Sequence, residues 1–307
     1  MSWLILVAIA VIADSLRIFI DNYSSDVYFK GRGAVSQKIF NGLAFPVVSL
    51  IILAVTGFDF GGIDLIVGLL LGLSGFIYGI AGIPYYRALE LDDSTNIGIF
   101  TQLSPVLYLF FGWFLLDQTF SPMQLVAFFV ILSAPFLIVF TTRKKSRKVK
   151  IKAVINAFSY VFIAVLANIL FVKISNDEQN FITTIAMVLL GMGIADLLIV
   201  FASLKLRRRF REVNRRSHYK VLRPLSINCL VRVVQQFAYR GALIAAPTVA
   251  IASVASDSAE PIVIFFMGLL LTLIWPKFGR EKLQRKTVLV HLIATILVVV
   301  GIILLQA

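Results

Sequence analysis

Ten apolar stretches dominate this chain of 307 residues, at roughly 3–20, 37–56, 63–88, 95–116, 123–141, 153–173, 181–203, 224–246, 248–275 and 287–306. A helix needs about 20 apolar residues to cross the hydrocarbon core of a bilayer. Lipid offers no partner to backbone polar groups, so only helices and closed barrels span it. These runs are too long for barrel strands of about 9–11 residues. The pattern therefore predicts an all-α integral membrane protein with ten transmembrane helices.

The basic residues sort the connections into two classes. Of the 29 lysines and arginines, 25 fall at the odd-numbered connections. Lys30, Arg32 and Lys38 lie between spans 1 and 2, and Arg87 closes span 3. Seven run from Arg143 to Lys152, nine from Lys205 to Arg223 and five from Lys277 to Lys286. The opposite side carries only Lys173, while Arg17, Arg232 and Arg240 sit within spans. Basic loops stay in the cytoplasm, so both termini are expected outside a cell membrane.

Composition excludes several other classes. At 59% hydrophobic and 15% charged, the chain has too little polar surface for a soluble globule. The net charge of +13 is read as loop anchors on anionic lipid head groups, not as a nucleic-acid footprint. Cys229 is a single cysteine, and His218 and His291 have no partner at metal-ligand spacing. No metal or cofactor is expected. Met1–Ile20 lacks a basic n-region and a small-x-small cleavage site, and Asp14 and Arg17 interrupt it, so it reads as a retained first helix.

The basic stretch at 143–152 divides five spans from five, giving units 1–142 and 153–307 joined by a cytoplasmic linker. The halves share an order of features. Span 3 ends in Tyr86-Arg87-Ala88-Leu89, and span 8 carries Tyr239-Arg240-Gly241-Ala242-Leu243. Each is followed by a span with an internal proline, Ser104-Pro105 and Glu260-Pro261, and then by an acidic residue before the last span, Asp117 and Glu281. Five is odd, so duplicated halves enter the membrane from opposite faces. Such inverted repeats put a substrate site near the midplane between the halves, and the two can exchange shapes.

Tyr-x-x-Ala-Leu closing the third span, serine-proline in the fourth and an acidic residue before the fifth resemble the EamA-type transporters of the drug/metabolite transporter superfamily. The resemblance covers nearly the whole chain. It implies a 5+5 inverted repeat of ten helices around a central cavity, exporting or exchanging small metabolites. Two features depart from the family pattern. Asp117 stands where the family usually has Glu, and familiar members keep their termini in the cytoplasm, whereas the charges here argue the reverse.

An ionisable side chain at mid-membrane costs roughly 2.5–3.5 kcal/mol on insertion scales, which makes such residues functional candidates. In span 8, Asn228, Arg232, Gln235 and Tyr239 recur at four, three and four residues and share one helical face, with Gln236 and Arg240 beside them. Arg232, near the midplane, suits a carboxylate or phosphate on a substrate; the alternative is a permanent pair with an acidic neighbour such as Asp196. In span 9, Ser253, Ser256, Asp257 and Glu260 follow helical spacing. Pro261 removes a helical hydrogen bond, so a kink or break is expected there. Asp257 and Glu260 form either a site for a proton or a substrate amine, since burial disfavours a charged carboxyl, or a salt bridge to Arg232 or Arg240.

The matching stretch of the first half, Thr101, Gln102, Ser104 and Pro105, is polar but uncharged. Asp14 and Arg17 can pair on one face of span 1, or Asp14 can line the cavity. Asn156 and Tyr160 are expected in the cavity wall, and Tyr78, Tyr85 and Tyr86 are expected to reach it. Gly68, Gly72, Gly75, Gly79 and Gly82 form a small-residue ridge for close helix contact.

These features favour a secondary transporter of a small polar or zwitterionic metabolite, coupled to protons or working by exchange. No P-loop is present for ATP-driven transport. A polytopic membrane enzyme would need a nucleophile–base pair or clustered carboxylates at the surface, and the loops offer neither. A non-transporting receptor or assembly protein would not require mid-depth charges. A monomer can hold the whole pathway, because the repeat is internal.

Overall fold

The computed structural model describes residues 2–24, 27–28, 34–60, 63–91, 103–142, 150–175, 180–202, 204–216, 218–274 and 285–306. Among these, eleven helices and no strand are found. They are α1 (Trp3–Ser24), α2 (Ala34–Val55), α3 (Leu65–Leu91), α4 (Ser104–Leu116), α5 (Pro122–Thr142), α6 (Ile151–Ile174), α7 (Phe181–Ala202), α8 (Leu204–Arg216), α9 (Leu222–Ala245), α10 (Val249–Ile274) and α11 (Arg285–Gln306). All but α8 coincide with the apolar spans. Helix α8 is a short, mostly charged helix inside a connection read as loop from its charges, with Arg207, Arg208, Arg211, Arg215 and Arg216 exposed.

Five helices, α1, α3, α6, α7 and α10, are long and apolar enough to cross a membrane by length and composition. Shorter apolar stretches lie in α2, α4, α5 and α11. Helix α9 falls short because Arg232, Gln235, Gln236 and Arg240 interrupt it.

Helix ends follow local chemistry. Ser121 and Gln124 form a reciprocal capping box at the start of α5, at 3.1 and 2.9 Å. The Asn180 side chain accepts the Ile182 N–H at 3.0 Å to open α7. Helix α4 starts with Pro105 in its first turn and stops at Asp117, whose φ of 51° is left-handed, a conformation that short polar side chains tolerate.

The packing runs in pairs. α1 lies along α9 and α3 along α6; α2 lies on α7, α4 on α10 and α5 on α11; α1 also meets α10, and α4 meets α6. The glycine ridge of α3 does what its spacing implies. A Cβ at Gly75 would enter the Val188 backbone of α7, and one at Gly191 would enter the Gly72 backbone of α3. Ser49 of α2 donates to the Ala186 carbonyl of α7 at 2.7 Å. Helix α10 continues through Pro261 without a break, packed among α1, α4, α5, α9 and α11.

Candidate functional site

A cavity of about 120 Å³ opens between six helices, α1, α3, α4, α6, α9 and α10. A single water needs only about 10–15 Å³ on the same measure, so there is room for a small ligand. Helical spacing brings each side chain in. Asp14 follows Ala10 by four residues on α1, Tyr108 follows Ser104 by four on α4, and Tyr239 follows Gln235 by four on α9. Tyr160, Ala164 and Asn168 step along two turns of α6, and Ser256, Asp257 and Glu260 share one face of α10. Tyr78 completes the wall from α3.

Hydrogen bonds fix this lining. The hydroxyls of Ser104 and Ser253 both donate to Oδ2 of Asp257, the second at 3.1 Å. Glu260 and Asp14 both line the cavity and lie close enough to interact. Asp14 Oδ1 also accepts from Arg17 Nε at 2.6 Å, and Arg17 Nη1 donates to Asp21 at 3.1 Å. Both readings of Asp14 therefore hold: it is paired, and it faces the cavity. Asn168 Nδ2 donates to Tyr108 Oη at 2.7 Å, and Tyr239 donates to the same oxygen at 3.3 Å.

The face read from span 8 divides in two. Gln235 and Tyr239 line the cavity. Asn228 is buried one turn and more away, donating to Asp21 at 2.8 Å and to the Arg17 carbonyl at 3.3 Å. Arg232 lies outside the lining, its guanidinium 5.6 Å over the Phe45 ring of α2 and near enough to Asp21 to act on its charge. Arg240 is fully buried between the rings of Tyr78 and Phe171, 5.2 Å from each, and bonds to Gln236. Aromatic faces attract a desolvated cation, so Arg240 anchors α9 to α3 and α6.

The remaining expectations have separate fates. Tyr85 packs its ring 4.8 Å from that of Tyr160, just behind the lining. Asn156 turns its amide to the Lys152 carbonyl of its own helix at 2.7 Å and does not line the cavity. Asp196 is buried. Gln102 lies outside the described residues, as do Thr101 and most of the 143–152 linker. Two polar lining residues, Tyr108 and Asn168, were not read from the sequence. The signal available was spacing: Tyr108 stands one turn from Ser104, and Asn168 two turns from Tyr160.

Residues 37–140 match the EamA-like transporter family. This segment is an EamA-like transporter domain, part of the drug/metabolite transporter superfamily. The EamA-like segment comprises α2 to α5 and supplies Tyr78, Ser104 and Tyr108 to the cavity; the acidic residues Asp14, Asp257 and Glu260 come from outside it. The family is one of membrane transporters. A crystal structure is similar over 97% of this chain and 96% of its own, with a TM-score of 0.60 and 15% identity, which relates the fold along the whole length. No curated protein matches the chain.

Proposed function

We propose that the chain is a secondary transporter of a small polar metabolite, working by alternating access across a cell membrane. Ten membrane helices form two inverted units, 1–142 and 153–307, linked through the basic segment 143–152. The observation that carries this reading is the composition of the cavity wall. With α1 equivalent to α6, α3 to α9 and α4 to α10, the six lining helices are three equivalent pairs. The packing supports the same correspondence. α1 on α9 mirrors α6 on α3, α1 on α10 mirrors α6 on α4, and α2 on α7, α4 on α10 and α5 on α11 each join a helix to its own counterpart.

The largest asymmetry in the packing suggests the motion. α3 lies tightly on α7 through its glycines, whereas the equivalent pair, α9 and α2, meets only sparingly, with Arg232 over Phe45. Exchange of the two arrangements would close α9 on α2 and release α3 from α7, opening the cavity to the other side. The carboxyls of Asp14 and Glu260, side by side in the cavity wall, support coupling to protons or exchange. The basic connections, α8 included, rest on anionic lipid head groups of the cytoplasmic leaflet, with both termini outside.

Uptake by the purified protein in liposomes tests this. Saturable, gradient-driven accumulation of at least one small metabolite from a polar and zwitterionic panel is expected. Protein-free rates across the whole panel would refute it.

A further inference from the structure

Among the described residues, the charged groups lining the cavity are all carboxyls: Asp14, Asp257 and Glu260. Three arginines of the same helices lie outside the lining. Arg17 bonds Asp14 and Asp21, Arg232 lies over Phe45, and Arg240, whose Nε and Nη2 have no hydrogen-bond partner, is held between two rings. Among the described residues, the wall thus presents carboxyls to a ligand and no guanidinium.

Two further features specify what kind of positive ligand fits. Tyrosines from four helices, Tyr78, Tyr108, Tyr160 and Tyr239, surround the carboxyls, and aromatic faces favour a desolvated cation. Asn168 is 3% exposed, and its Oδ1 is buried without a hydrogen-bond partner while its Nδ2 is committed to Tyr108. A buried acceptor with no donor is costly, and native proteins rarely leave one. It belongs opposite an N–H of a ligand.

We propose that the transported species is a small protonated primary or secondary amine. Its N–H groups bond Asn168 Oδ1 and the α10 carboxyls, and its carbon body lies among the tyrosine rings. This names the substrate class of the cavity and rests on the transporter reading above. A quaternary ammonium has the charge but no N–H. It would leave Asn168 unpaired, and sites built around a buried hydrogen bond discriminate strongly against analogues that lack it. A carboxylate of the same size would meet only like charge.

The test is a matched series on the unmodified full chain, purified in detergent: butylammonium, its N,N,N-trimethyl analogue and butyrate, each titrated calorimetrically at about pH 7, where an alkylamine is protonated. Butylammonium should bind and butyrate should not. The trimethyl analogue should bind about tenfold or more weakly than butylammonium, the loss of one charge-assisted hydrogen bond. Equal binding of the two cations, binding of butyrate alone, or no binding of butylammonium overturns the proposal. Asn168→Leu should reduce the preference for butylammonium over the trimethyl analogue, and the trimethyl compound itself reports whether the variant is folded. In liposomes, uptake of other metabolites by a protein that ignores butylammonium would sink the amine assignment and leave the transporter standing. Selective butylammonium binding with no uptake of any compound would do the opposite.

Discussion

Ser104 of α4 donates its hydroxyl to Asp257 of α10. Both lie near a proline, Pro105 and Pro261, in helices that correspond under the proposed repeat. The bond therefore ties α4 to α10 at the cavity wall and orients the carboxylate that the cavity presents. Asp257→Asn keeps the shape and removes the charge, so substrate affinity should fall at least about tenfold while the protein still purifies as a monodisperse species. Ser104→Ala should act on stability instead, lowering it by about 0.6–2 kcal/mol, the range for hydrogen bonds between membrane helices. Thermal unfolding and substrate titration, run on both variants, separate the two effects.

Glu260→Gln leaves Asp14 a neutral amide partner in place of a carboxyl. It should abolish accumulation driven by a proton gradient and spare substrate exchange, as measured in liposomes with and without an imposed pH difference. Unchanged pH-driven accumulation would remove Glu260 from the coupling.

The α3–α7 contact offers a sharp contrast between neighbouring glycines. A Cβ at Gly191 would enter the Gly72 backbone, whereas one at Gly68 meets only the Ile63 side chain at 3.6 Å. Gly191→Ala should destabilise the protein by about 1–3 kcal/mol, as overpacking does, and Gly68→Ala should be nearly neutral. Thermal midpoints of the two variants give the comparison.

The charge bias predicts an orientation that reporter fusions can check. A reporter after Gln306 should behave as external, and one in the 143–152 loop as cytoplasmic. The reverse pattern would leave the distribution of 25 basic residues on one side without a cause.

Hydrophobic runs and basic connections made the helices legible, because lipid demands long apolar segments and the inserted chain retains cations on one side. The lining residues of α9 and α10 were legible for the same reason: Gln235, Asp257 and Glu260 are costly in a span. Direction around the helix was less legible. Asn228 and Arg232 share a nominal face with Gln235 and Tyr239, yet Asn228 reaches Asp21 on α1 and Arg232 reaches Phe45 on α2. Which neighbour a polar side chain meets depends on how α9 is flanked, and periodicity carries no information on that. Tyr108 and Asn168 were hidden differently, as single polar groups inside apolar runs, where spacing alone gives no reason to prefer the cavity over the core.

Alternating access is the central claim, and Ser256 allows it to be tested directly. It lines the cavity at 7% exposure, and Cys229, the chain's single cysteine, can be replaced by alanine first. Ser256→Cys in that background, reconstituted in liposomes of known orientation, is treated with a membrane-impermeant maleimide from one side and then from the other. Reaction from both sides, with substrate changing the ratio of the two rates, is the expected result. Reaction from one side only, whatever substrate or gradient is present, would contradict it.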